Sequence, residues 1–500
     1  MDRSIRLRRE NTGETVRSAM LALALAVVFS LVFYTCNTPL GPAIGSDNAM
    51  YLTMGTALSQ GCAPYSDIFD HKGPLLFLLQ MVPQLLSGGY STLAVFLQEV
   101  LFLWVCLLML ARMARRLGVK AVLVQLIYLA IYAPLTDGGN LTEEYANLFT
   151  LVGLHAIVSA FGRGLPGRAD GLLPRAALLG AMAALALLTR ANNALLLLAM
   201  TLMLTLALLA RRAMAPLGRC AGGFVLGAAA VVLPVVLWLA CRGALTESFY
   251  ASILHNMMYA ETGGASRVGT LLHTPYGHMA MLLAAISCLG ALTLLRRSPA
   301  LALAMVAGAA AAGLAAFISH KFYRHYLLLG APLSALGAAA LLGAAARGRG
   351  RAVLPWAAAA VAVLALFPAA RQENDARLAW RDRYLAVEQD AQALYALVPQ
   401  EERDSFMAYR VEPMWYVGAR ALPCMRFYFL QEILADADPR VMDEIVARFE
   451  TDPPRWLTIY YGRAFSPPYD ARVQEIFDSR YEFVQAQGDY QLLKLKEAQP

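Results

Sequence analysis

Apolar runs of bilayer length recur from residue 20 to residue 370, and no other feature limits the fold of this chain so tightly. About 20 consecutive apolar residues cross a hydrocarbon core as a helix. Inside lipid, only helices and closed barrels satisfy every backbone N–H and C=O. The runs are too long for strands, so the spans are helices. Composition agrees: the chain is 58% hydrophobic and 15% charged, whereas a soluble domain carries about 25% charged residues. A globular enzyme built on one buried core is thereby excluded. The net charge of +7 does not point to nucleic acid. Most Lys and Arg residues sit in short clusters between apolar runs, which is the positive-inside pattern.

That pattern orients the chain. The basic start MDRSIRLRRE belongs in the cytoplasm. Spans are expected at 17–36, 91–111, 119–135, 144–161, 174–189, 193–210, 219–241, 277–295, 299–318, 324–344 and 352–369, about eleven in all. The even-numbered spans end on ARMARRLGVK, GRGLPGRAD, RRAMAPLGR, RRSP and RGRGR. Each cluster falls on the inner side, so the N-terminus is expected inside and the C-terminus outside a cytoplasmic membrane. The run 20–36 is too long for the apolar region of a cleavable leader. After residue 370 the chain turns polar. RQENDARLAWRDRYLAVEQDAQALYALV has the spacing of an amphipathic helix. SFMAYRV, RWLTIYY, YEFVQAQ and YQLLKLK read as strands, with helices near 439–449 and 469–478 between them. The expected fold class is therefore a polytopic α-helical membrane protein with a C-terminal extracytoplasmic α/β domain. Its domains would be 1–370 in the membrane and 371–500 outside.

Of the seven cysteines, none shows metal-ligand spacing, and most lie in or beside apolar runs. Cys36, Cys62 and Cys424 fall on the expected outer side, where a disulfide could form.

The outer connections gather the ionisable residues. GSDNAMYLTMGTALSQGCAPYSDIFDHKGPL (45–75) carries Asp47, Asp67, Asp70, His71 and Lys72 between two apolar stretches. Asp47 opens a helical run, where it is either an N-cap or a base held at the membrane surface. Asp67 and Asp70 are either turn formers or part of a site for a phosphate and a hydroxyl. DGGNLTEEY (137–145) supplies Asp137, Glu143 and Glu144, and first-turn acids are favoured by the helix dipole. Its NLT also matches a glycosylation acceptor at Asn140, in a loop too short and too near the membrane to favour that role. SHKFYRHYLLLGAPL (319–333) places His320, Lys321, Arg324 and His325 at an outer mouth, as snorkelling cations beside an aromatic belt or as an anion clamp. Arg190 in LLTRANN is a further outer cation.

These residues resemble a known pattern. G-x-D-x-A-x-Y, then a helix, then G-x-x-P-Y-x-D-x-x-D-x-K-x-P-L is similar to the first external loop of the GT-C superfamily of glycosyltransferases. Those enzymes use polyprenyl-phosphate sugars. The nearest branch is the family 39-like group, relatives of protein O-mannosyltransferases and lipid A aminoarabinose transferase. NLTEEY (140–145) resembles the second-loop acidic motif, YRHYLLLGAPL (323–333) a late external motif, and MWYVGARALPCMRFY (414–428) the outer soluble domain of many members. Mannosyltransferases commonly carry Asp-Glu at the first-loop site; here Asn48 follows Asp47.

The resemblance implies that Asp47 is a general base for an inverting displacement by an acceptor hydroxyl. Glu143 or Glu144 would position the acceptor or a divalent ion, with Mg or Mn left open. Lys72, Arg324, His325 and Arg190 would hold the donor phosphate. Tyr51, Tyr65, Asp67, Asp70, His71 and Tyr323 are candidates for substrate contact. The partners implied are a polyprenyl-phosphate-linked sugar, the lipid bilayer and a cell-envelope acceptor that is a glycan, lipid or protein. The alternative function is a transporter or flippase of a lipid-linked sugar. Such a protein explains many spans, but not charges crowded into outer loops, and no internal repeat stands out.

Overall fold

The computed structural model describes residues 2–166, 169–261, 266–346, 353–429, 431–461 and 470–497. The basic cluster RGRGR, part of GRGLPGRAD and the first residue of the last expected span lie outside them. Nine helices among the described residues are long and apolar enough to cross a membrane. They run from Val16–Phe33 to Arg324–Ala345 and match nine of the expected spans. The span expected at 119–135 is the shorter apolar helix Ala121–Leu135, and Pro74–Ser87 is another. This is a multi-pass membrane protein.

The polar helix expected after residue 370 is not a separate element. It continues the last apolar run as one helix, Val353–Tyr395, of 43 residues with Pro368 inside it. Ala and Leu lead up to residue 370, Ala, Arg, Glu and Leu follow it, and none of these strong helix formers ends the turn there. The expected domain boundary therefore falls within a helix.

Two compact units divide the chain. The first comprises Met1–Leu40, Phe96–Val236 and Gly264–Asp375. Its apolar core runs through most of its helices and includes Phe29, Leu107, Tyr128, Leu154, Met200 and Leu333. Two of its helices meet where Gly290 lies directly against Gly337, and a Cβ on either would strike the other backbone. Lipid tails are as apolar as Leu, so such close backbone contact is what holds membrane helices together.

The second unit comprises Gly41–Val95, Leu237–Gly263 and Ala376–Pro500. Helices Ser46–Ser59 and Pro74–Ser87 pack with Gly55 against the backbone of Gln80. All four strands read from the sequence are present: Phe406–Tyr409 (β1), Trp456–Tyr460 (β2), Tyr481–Gln487 (β3) and Tyr490–Leu495 (β4). The sheet order is β1-β2-β4-β3, with β1 parallel to β2 and the other pairs antiparallel. Helices Arg440–Thr451 and Ala471–Arg480 complete it, joined to the sheet by Tyr409, Phe449, Phe477 and Tyr481 in edge-to-face contacts. All seven cysteines are free thiols, so the envisaged disulfide is not formed.

Candidate active site

The candidate residues fall into two groups, one in each compact unit. In the second unit, Asp47 lies in the first turn of helix Ser46–Ser59, but the N-cap position belongs to Gly45, which has no side chain to cap with. The N-cap reading of Asp47 is thus displaced by two residues. Its carboxylate is exposed, while Asn48, Ala49, Met50 and Tyr51 behind it are buried. The helix dipole favours the negative charge of Asp47 at that end.

The segment after this helix is tightly folded. Tyr65 adopts a left-handed backbone (φ 64°). Its hydroxyl donates to the Lys72 carbonyl at 2.9 Å, and its ring packs 4.6 Å from Phe77. Asp67 accepts the Ala63 N–H at 2.7 Å, so it forms the turn. Asp70 is buried and accepts the Lys72 N–H at 3.0 Å. It also pairs with Lys72 Nζ at 3.6 Å and His71 Nδ1 at 3.4 Å. Its second oxygen, Oδ2, has no hydrogen-bond partner among the described residues. Burial pushes the Asp70 carboxyl above its ordinary 3.8, Lys72 opposes this, and the nearby Asp47 charge adds to it. Asp47, Asp70 and Lys72 therefore share one electrostatic neighbourhood.

His255 joins this group unannounced by any sequence motif. It ends a π-helical turn, Tyr250–His255, and is fully buried with its ring stacked on His71 at 6.1 Å. Burial pushes its pKa below 6.5 against the pull of Asp438 and Asp70, so the ring is neutral at pH 7. The following residue, Asn256, donates to the His71 carbonyl. A π-turn beside a histidine is the kind of irregularity that collects at functional sites, but residue spacing alone does not reveal it.

In the first unit, every expected group has a partner. Asp137 has a left-handed backbone (φ 42°) and accepts from Arg324 Nη2 at 2.7 Å and His325 Nδ1 at 2.9 Å. Burial raises the Asp137 pKa, but the His325 hydrogen bond and the charges of His325 and Arg324 outweigh it. The carboxyl is held below its ordinary 3.8. Tyr323 stacks on the His325 ring at 5.6 Å. Glu143 is buried and accepts from Thr142 at 2.7 Å and Arg190 at 3.1 Å. Arg190, also buried, donates on to the Tyr326 hydroxyl at 3.1 Å. Glu144 occupies the capping-box position of helix Thr142–Phe161 and accepts the Leu141 N–H at 3.3 Å.

Glu99 was missed by the sequence reading. It sits mid-run on helix Thr92–Leu117, buried, and accepts from Asn37 at 3.1 Å and from the Asn140 N–H at 2.5 Å. A lone Glu in an apolar span was the available signal. Asn140 is itself fully buried and accepts from the Tyr145 hydroxyl, so the NLT motif presents no accessible acceptor. Among the described residues no three His, Cys, Asp or Glu side chains converge as a metal-ligand set.

No protein-family model matches the sequence, and no curated protein matches it. Solved structures do. ArnT from Cupriavidus metallidurans bound to undecaprenyl phosphate aligns with a TM-score of 0.61 at 16% identity, over 94% of this chain and 97% of that one. Its apo state aligns with a TM-score of 0.54 at 14% identity, over 97% and 98%. The oligosaccharyltransferase AglB from Archaeoglobus fulgidus, in complex with an inhibitory peptide and a dolichol-phosphate, aligns with a TM-score of 0.50 at 12% identity, over 89% and 69%. At these identities the likeness is one of fold. The fold is shared with ArnT and AglB.

Proposed function

We propose that this chain is an inverting glycosyltransferase that moves a hexosyl or pentosyl unit from a polyprenyl-phosphate donor to an acceptor hydroxyl. The reaction is placed at the outer face of a cytoplasmic membrane, with the N-terminus inside. A fold shared along nearly the whole length of an enzyme holding undecaprenyl phosphate supports the class. The observation that carries the chemistry is Asp47, an exposed carboxylate in the electrostatic neighbourhood of buried Asp70 and its partner Lys72.

Asp47 takes the proton of the acceptor hydroxyl as that oxygen attacks the anomeric carbon. The bond from that carbon to the phosphate oxygen breaks, and the lipid phosphate leaves with the electron pair. One direct displacement inverts the anomeric centre. A phosphate is a competent leaving group, so cations rather than an acid assist it. Lys72 serves this role within the compact unit that holds Asp47. In the other unit Arg324 and His325 are engaged by Asp137, and buried Arg190 is engaged by Glu143. The residues present do not assemble a divalent-ion site among the described residues, so no step is assigned to Mg or Mn.

The test is reconstitution with a labelled polyprenyl-phosphate hexose or pentose and a cell-envelope extract, wild type beside Asp47→Asn. Equal sugar transfer by the two would remove Asp47 from the chemistry. Orientation is tested separately with Ser46→Cys, which a membrane-impermeant thiol reagent should label from outside.

A further inference from the structure

Asp47 is exposed on a first helical turn that no N-cap side chain secures, since Gly45 holds the cap position. Helix ends fray, and a base that wanders loses its aim. Two contacts bracket this turn from the C-terminal part of the same compact unit. One residue before Asp47, the Ser46 hydroxyl donates to Glu412 Oε2 at 3.2 Å. Three residues after it, the Met50 carbonyl accepts from the Tyr428 hydroxyl at 3.1 Å. Helix Met414–Ala419, between those two C-terminal residues, packs on the Asp47 helix.

The same segment reaches the rest of the first connection. The Phe69 N–H donates to the Arg426 carbonyl at 2.9 Å, and the Tyr90 hydroxyl donates to the Ala421 carbonyl at 2.8 Å. The segment is itself anchored. Glu412 is held by Arg383, and Arg426 is held by Glu247 at 3.0 Å and by Glu444. The Cys424 N–H donates to Phe406 of β1 at 3.0 Å, and the Tyr416 hydroxyl donates to the Ala408 carbonyl at 2.8 Å. The sheet is thus the footing, and residues 412–428 run from it to both sides of Asp47. Tyr428 is 1% exposed, so its hydroxyl bond is sheltered from competing water.

We infer that the C-terminal segment 412–428 is a positioning device for the Asp47 helix turn, and that Glu412 and Tyr428 are positioning residues for glycosyl transfer. The inference rests on the reading of Asp47 as the base. It assigns the polar tail a mechanical task in the reaction, distinct from recognising the acceptor.

The experiment uses the full chain in nanodiscs, with labelled polyprenyl-phosphate hexose as donor and cell-envelope extract as acceptor source. Glu412→Ala and Tyr428→Phe should each lower kcat by about tenfold to a hundredfold, the scale of a small misplacement near the chemistry. The apparent KM for donor and for extract should stay within about twofold. Tyr428→Phe removes a single hydroxyl and serves if the Glu412 variant does not fold. A second readout is independent of activity. In an Asp47→Cys chain, the introduced thiol should be alkylated by a methanethiosulfonate reagent several-fold faster once Glu412→Ala or Tyr428→Phe is added. An unchanged alkylation rate with unchanged kcat overturns the proposal. So does a raised KM for the extract at constant kcat, which would make the segment an acceptor reader. If Asp47→Asn transfers sugar as wild type does while alkylation still accelerates, positioning stands and the base assignment falls.

Discussion

Asp70 and Asp137 are both aspartates on short connections beside apolar helices, yet their surroundings push them in opposite directions. Asp70, in the second compact unit, is buried with one oxygen unpartnered among the described residues, and its carboxyl is raised above 3.8. Asp137, in the first, accepts from Arg324 and His325 and is lowered below 3.8. The contrast extends to their neighbours. Around Asp137 and Glu143 the acids are paired with Arg324 and Arg190, and His325 bonds Asp137 as well. Asp70 pairs with Lys72 and His71, and Asp47 is left exposed. Acids spent on ion pairs hold a structure together; an acid left exposed is available for chemistry.

Breaking the contrast at its active end should have the largest effect. Asp47→Asn removes a general base, so kcat should fall by about 10²–10⁴-fold, while thermal unfolding in detergent stays close to wild type. The converse holds in the other unit. Arg190→Met leaves Glu143 buried and unpaired, and should cost about 3–5 kcal/mol of stability. Adding Glu143→Gln should recover part of that loss, as a double-mutant cycle on unfolding would record.

A packing change in the second unit gives a smaller effect. Gly55→Ala sets a methyl group against the Gln80 backbone and should destabilise by about 1–3 kcal/mol. A loss of activity without that destabilisation would show that the helix pair moves during turnover.

The finest distinction is the pH dependence of stability. Asp137, with a lowered pKa, contributes stability that is present above 3.8 and lost as pH falls through its folded value. Asp70, with a raised pKa, contributes stability that is present below 3.8 and lost as pH rises through its folded value. Asp137→Asn should therefore flatten the unfolding profile below 3.8, and Asp70→Asn should flatten it above 3.8. Profiles that shift the same way in both variants would contradict the opposed environments.

Much of this was legible beforehand. The helical spans followed from apolar length, and the four strands from their period-two patterns, because both depend on residues close in sequence. Glu143 and Glu144 both lie in the first turn of helix Thr142–Phe161, for the same local reason. The cap alternative for Asp47 fell away because Ser-Asp before a helical run satisfies the cap rule at several registers, and only backbone geometry chose Gly45. The polarity change at residue 370 falls inside one helix, because polarity does not end a helix.

The amino-acid sequence alone determined that this chain crosses a membrane many times, carries a small α/β sheet at its end and crowds its acids into two connections. Bilayer thickness and the period of a strand impose those outcomes on nearby residues. The tertiary structure alone decided which polar groups meet. Glu143 pairs with Arg190, Asp137 with Arg324, and Ser46 with Glu412, 366 residues away. His71 finds His255, and Glu99 finds Asn140. A charge in an apolar setting must find a partner or a task, and where in the chain that partner lies is set by packing that no local pattern records.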